Sequence, residues 1–388
     1  MISAALDYFE RDPFSDNLVG LVAEIEADLR THFGEADAKR TMIRRRYDAL
    51  LRRAALHEGP TGDAILAGVF VRAALRLAEQ YREYFDRADV DALLMRERAA
   101  LRNAADALVP LQVNMTVPAD TMDLSRATAE ETANVLAETA ARGVPSIERA
   151  REWASDAGTS VASLFPRIQL TPGKVLAEAT SAAEHAAIET DSYLAQHALL
   201  VGQRYDITMH RSAESVGLRS DHILSTLGAL SLGNDTIEIL RVGYERYFAG
   251  DMVSATHVIV PRLEEVVRSF LERADVPTTT LVTGLGPDGT ASRTDDATFG
   301  TLLRRSALDG RSVQDILGAD LHAYLLAVLN AQSGLNLRNE FAHGLARLSH
   351  CTGTVVGIAT HLLMALAARQ SDLEPQGRKS ATPAAHDG

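Results

Sequence analysis

Cysteine is nearly absent from the 388-residue chain, where Cys351 stands alone. One thiol excludes an intramolecular disulfide framework and any cysteine-rich zinc site. Aromatic residues are scarce at 5%, with a single tryptophan. Strands favour such residues, whereas the alanine and leucine that recur here favour helix. Long apolar runs are missing too. The longest, Val355 to Ala368, contains His361 and falls short of the roughly 20 residues needed to span a bilayer, so no membrane association is expected. Basic charge is outweighed, leaving a formal net charge of −13. That balance excludes a surface coated with cations for indiscriminate nucleic-acid binding, but it leaves room for one local cationic site. The opening MISAALDYFERDPF carries Asp7, Glu10 and Asp12 where a signal peptide needs an apolar core. A cytoplasmic location is the expectation.

What is present suits a folded protein. Hydrophobic residues make up 46%, enough for a sizeable core and too many for general disorder. At about 150 residues per domain, the length suggests two or three domains. Apolar residues at Leu18, Leu21, Ile25 and Leu29 fall three or four apart and predict a helix over 16–32. Similar spacing predicts helices over 64–84, 90–108, 128–142, 146–157 and 175–205. The prolines of 110–123 and 166–173 predict breaks. A second unit is expected from Asn234. Asp235 with Glu238 reads as a capping box, and Ile237, Leu240, Tyr244 and Phe248 mark one face of a helix that Gly250 ends. A further helix is predicted over 252–274, with Val260, Leu263, Val267 and Phe270 inward and Pro261 inside it. The β-branched residues around GLGPDGT predict a small hairpin over 278–294. Ser312 with Asp315 should open a helix reaching Gln332, and a last helix should run over 354–369.

The expected organisation is all-α. Residues 1–233 form a multi-helix region of unknown role, 234–370 a second helical bundle with a small β-hairpin insertion, and 371–388 a polar, disordered tail. Charge is uneven, with −9 over residues 1–234 and −3 over 235–370. A polyanion should prefer the second unit.

Chemistry concentrates in LRNEFAHGL, which holds Arg338, Asn339, His343 and Gly344. An arginine, then four residues, then a histidine is weak on its own, and Arg52 with His57 repeats it. Only the later segment has Asn after the Arg and Gly after the His. Arginine stays cationic and forks around phosphate. Histidine exchanges protons near neutral pH. Together they suffice for metal-free cleavage of RNA, in which the 2′-hydroxyl attacks the adjacent phosphorus and the leaving 5′-oxygen takes a proton. A single motif supplies one histidine, so two facing copies would supply both acid and base. Asn336 is a candidate helix N-cap and Gly344 a candidate stop, which would set the motif at a helix start that favours phosphate.

This segment resembles the RNxxxHG motif of a family of unknown function related to the HEPN superfamily (higher eukaryotes and prokaryotes nucleotide-binding). YFAGDMVSATHVIVPRLEEVVRSFL, with Asp251, Pro261, Glu264 and Arg268, resembles the family's preceding helices, and the likeness covers about 234–369. The resemblance implies an HEPN-like helical bundle, dimeric through this C-terminal domain, with the two motifs meeting at the interface. It implies a metal-independent endoribonuclease acting on RNA without cofactor, in a toxin or antiviral-defence setting. Arg338 and His343 carry over as catalytic, and Asn339 as the residue orienting them. Glu264, Arg268 and Gly344 carry over as supporting or phosphate-binding positions. Binding of a nucleotide or nucleic acid without turnover, and a scaffold role, remain alternatives.

Other features have plainer readings. Glu264 with Arg268 is an ordinary helical ion pair by spacing. His350, Cys351 and His361 fit no zinc pattern, so no metal is expected. The run Lys39, Arg40, Arg44, Arg45, Arg46, Arg52 and Arg53 reads as a solvated helix face, with nucleic-acid binding as its alternative. Trp153 reads as packing.

Overall fold

A computed structural model describes residues 25, 32, 37–58, 62–107, 127–158, 167–171, 174–179, 181–285 and 291–380. The predicted helix over 16–32 and the breaks over 110–123 lie almost wholly outside these residues, as does the tip of the GLGPDGT hairpin. The fold is all-α with small two-stranded hairpins, and the chain divides into two compact units, 1–113 with 168–178, and 114–167 with 179–388.

The first unit contains α1 (Ala38–His57), α2 (Ala64–Gln80) and α3 (Arg87–Ala107). Asp63 caps α2 by accepting from the Ile65 and Leu66 amides. Ile43, Tyr47, Val71, Leu75 and Leu93 close its core. The basic run on α1 is largely engaged within this unit. Arg44 pairs with Asp89 at 2.9 Å, donates to the Tyr84 carbonyl and lies 4.3 Å from the Phe85 ring centre. Arg53 is buried. Those contacts leave Lys39, Arg40 and Arg52 as its exposed cations. Strands β1 (Arg167–Thr171) and β2 (Lys174–Ala179) pair with each other. The helix expected over 175–205 therefore starts later, where Ser181 and Glu184 make a reciprocal capping box.

The second unit carries α4 (Ala129–Ala140), α5 (Ile147–Gly158), α6 (Ala182–Ser215), α7 (Ser220–Ser225), α8 (Asn234–Phe248), α9 (Met252–Arg273), hairpin strands β3 (Thr279–Leu285) and β4 (Ala291–Asp296), then α10 (Phe299–Leu302), α11 (Val313–Leu317), α12 (Ala319–Leu325), α13 (Leu337–Ala342) and α14 (Gly353–Ser380). One apolar core runs from Ala129 through Leu194, Met209, Leu240, Ile259, Phe270 and Tyr324 to Ala367. The boundary expected at 233/234 thus falls inside a single core, because α6 packs its small residues against α14. A Cβ at Gly357 would overlap the Gly202 carbonyl, so the two backbones touch. Trp153 belongs to this unit, 40% exposed and tilted against Tyr193.

Local signals fared unevenly. The capping box at Ser312 and Asp315 is present. The helix it opens is cut at Gly318, which takes φ +82°, and it ends as a π-turn over Leu326–Asn330. No capping box forms at Asp235 and Glu238, since Gly233 is the N-cap and Glu238 turns to Arg241. Asp251 caps α9 instead, accepting from the Ser254 amide at 3.0 Å. The backbone of α14 continues to Ser380, so the first part of the expected tail is helical, while 381–388 lie outside the described residues. No helix among the described residues is long and apolar enough to cross a membrane.

Two histidines hold the turn after α4. His361 on α14 donates from Nε2 to the Ala140 carbonyl, and His197 on α6 bonds the Gly143 carbonyl, each at 3.0 Å. A Cβ at Gly143 would press on the His361 ring, so only glycine admits it. Burial, with a smaller push from His197, lowers the His361 pKa to about 4. The unfolded chain then binds the proton first, so this contribution is complete above pH 6.5 and is lost as pH falls towards 4. It amounts to about 3 kcal/mol. Denaturant unfolding followed between pH 7 and 4.5 should show His361→Gln with lower stability at pH 7 and a shallower acid slope than the parent.

Candidate functional site

The motif helix α13 is only six residues long, and its position is set from both ends. Ahead of it, the segment after the π-turn folds back, with the Leu335 amide on the Ala327 carbonyl at 3.0 Å. Ser333 donates to Asp191 on α6, whose carboxyl is raised by burial against the opposing pull of that hydroxyl. Asn336, buried at 7% exposure, adopts φ +52°, a left-handed conformation that asparagine tolerates better than most residues. It stands at the N-cap position, yet its side chain caps no backbone amide. At the far end Gly344, at φ +65°, turns the chain out of the helix as expected.

Five charged or amide side chains meet on this frame. Glu264, from the middle of α9, accepts from Arg338 Nε at 2.6 Å and from Arg268 Nη2 at 3.1 Å. Arg338 Nη1 donates to Asn339 Oδ1 at 2.8 Å, and Asn339 Nδ2 donates to Asn336 Oδ1 at 2.7 Å. Side-chain exposures of 21%, 19% and 16% for Arg338, Glu264 and Arg268 place the cluster at the edge of solvent. Two guanidiniums against one carboxylate leave it a net charge of +1. Arg268 turns inward, with Nη1 on the Thr278 carbonyl and Nη2 on the Ala297 carbonyl, each at 3.0 Å. It braces the foot of the hairpin. Arg338 keeps Nη2 clear of these contacts.

His343 is placed differently. It is the C-cap residue of α13, exposed to solvent, and among the described residues its imidazole has no hydrogen-bond partner. Arg338, Asn339, Glu264 and Arg268 are therefore one bonded network, while His343 stands apart at the other end of the same helix. The short helix also removes the expected phosphate seat at its start, which the left-handed Asn336 occupies.

Sequence reasoning missed the bond from Asn336 to Asn339 and the two hairpin carbonyls held by Arg268. Sequence spacing carries no signal for either. Beside the motif, buried Phe341 meets the His257 ring edge-on at 5.0 Å, and Cys351 Sγ lies 4.0 Å from His257 Nδ1. Among the described residues no three His, Cys, Asp or Glu side chains are placed to share a metal ion. No family model, curated protein or solved structure matches the chain.

Removing the Glu264 carboxylate would leave two partly buried guanidiniums facing one another. Glu264→Ala should cost about 2 kcal/mol of stability, and Glu264→Gln less, as read from thermal or urea unfolding at neutral pH. Equal stability for all three proteins would show the cluster to be a loose surface contact.

Proposed function

We propose that the protein is a metal-independent ribonuclease whose site is the motif helix α13. The observation that carries this reading is the division of labour on that helix. A guanidinium fixed by Glu264 and Asn339 keeps donors for a phosphate, and an unbonded imidazole five residues later is open to solvent. Pre-positioned cationic donors stabilise the charge that builds on a pentacoordinate phosphorus. An exposed histidine can take the 2′-proton or return one to the 5′-oxygen. About 7.5 Å of ideal helical rise separates residues 338 and 343, so the two groups would act on different parts of one nucleotide.

The proton arithmetic asks for two imidazoles, and a homodimer bringing two copies of α13 to one cleft would supply them. The resemblance of LRNEFAHGL to the RNxxxHG motif and the HEPN superfamily supports both the reaction and the pairing. The toxin or defence setting and the cytoplasmic location belong to the same reading. Glu264 and Arg268 act as positioning residues in it, and Gly344 as the turn that frees His343. The donors that Arg338 keeps free also fit a second reading, binding of RNA or a nucleotide without turnover, because His343 stands apart from the Arg338 network.

The purified chain should cleave single-stranded RNA in EDTA and leave 2′,3′-cyclic phosphate ends. His343→Ala should lower the rate at least 100-fold while RNA affinity stays within a few-fold. Arg338→Ala should lower both. Retention of RNA by a parent protein that never cuts it would select the second reading.

A further inference from the structure

An asparagine at the start of a helix ordinarily turns its side-chain oxygen to a backbone amide of the first turn, from an extended conformation. Asn336 does neither. Its φ of +52° carries the side chain away from those amides, and it caps none of them. The backbone there is held without it. The Leu335 amide meets the Ala327 carbonyl just before, the Asn336 carbonyl takes the Glu340 amide at 3.1 Å, and Leu337 is buried directly after. Glycine adopts a positive φ with less strain. An asparagine that forgoes its cap, where glycine sits more easily, has another use for its amide.

That use is Asn339, and the polarity of the bonds is dictated from their far end. A guanidinium only donates, so Arg338 Nη1 requires the oxygen of Asn339, which it meets at 2.8 Å. The Asn339 nitrogen is then turned to Asn336, where only an acceptor satisfies it. Asn336 Oδ1 is there at 2.7 Å. Were that acceptor missing, the Asn339 amide would be free to turn and set its own donors against the guanidinium. Glu264 holds Arg338 at Nε. One bond leaves the plane of the guanidinium free to swing about it, and the second, to Asn339, sets the plane. Asn336 itself is buried at 7% exposure while Arg338 keeps 21% on its side chain, so any effect of Asn336 on a bound phosphate passes through Arg338.

We infer that Asn336 is a positioning residue of the motif site, which orients the Asn339 amide and through it the plane of the Arg338 guanidinium. Its consequence for turnover rests on the ribonuclease reading.

The test compares two variants of the full chain. Asn336→Gly keeps the left-handed turn and deletes the acceptor, whereas Asn336→Asp keeps an acceptor in the same place. The first readout needs no activity. It follows the side-chain NMR signals of the Asn339 amide and of Arg338 Nε–H, identified by their loss in Asn339→Asp and Arg338→Lys. Asn336→Gly should move the Asn339 signals towards those of a free amide and speed solvent exchange at Arg338 Nε–H, and Asn336→Asp should do neither. The second readout is cleavage of single-stranded RNA in EDTA. In Asn336→Gly kcat should fall about tenfold with KM changed less than about threefold, at a melting temperature no lower than the parent's. In Asn336→Asp kcat should return to within about threefold of the parent, its added charge being read in KM.

Parental signals at both side chains in Asn336→Gly overturn the inference. So does an equal loss of kcat in both variants, or a fall in the melting temperature of Asn336→Gly alongside its loss of rate, either of which makes Asn336 a structural residue. A parent that cuts no RNA removes the catalytic reading alone, and the NMR comparison then decides the inference: changes confined to Asn336→Gly leave Asn336 positioning Arg338 in a site that binds without turnover.

Discussion

A single carboxylate organises the motif region. Glu264 lies on α9, whose adjoining face is deep in the core through Leu263, Val267 and Phe270. Its two oxygens are divided between Arg338 and Arg268. One guanidinium ties α9 to the motif helix and the other to the foot of the hairpin. A six-residue helix has too few internal bonds to hold itself in place. Its orientation comes from its buried Leu337 and Phe341 and from this ion pair to a 22-residue helix. At the edge of solvent such a pair contributes little net stability, but it fixes direction, because the guanidinium fork accepts few geometries.

The same constraint separates the roles of the charged side chains. Arg268 is fully engaged by a carboxylate and two carbonyls, which makes it a strut. Arg338 is engaged on one side and open on the other. His343, beyond the end of the helix, owes its freedom to Gly344, whose positive φ takes the chain away at once. The proposed chemistry needs this gradient from rigid to free. A phosphate is stabilised by donors that do not reorganise, while a proton carrier must reach different atoms in turn.

Much of the helical layout was legible locally. The faces of α8 and α9 follow from apolar residues three and four apart, and Leu240, Tyr244, Val260, Leu263, Val267 and Phe270 are all buried. Misreadings came where local and distant preferences compete. Val175 to Ala179 is apolar enough for a helix, yet it pairs as a strand, since Ser181 is the better start. Asp235 and Glu238 have capping-box spacing, yet Glu238 finds Arg241. The boundary at 233/234 followed charge and turn residues, and neither reports which helices share a core.

The sequence by itself determined the helical class, the exclusion of disulfide and cysteine-zinc chemistry, and the positions of Arg338, Asn339 and His343 on one short segment, because composition and spacing act over a turn or two of chain. Only the tertiary structure decided that Glu264 joins Arg338 to Arg268, that Asn336 anchors Asn339, and that Gly202 and Gly357 let α6 and α14 touch. Those partners lie up to about 150 residues apart in the chain, and such meetings depend on how whole helices pack rather than on what any one of them contains.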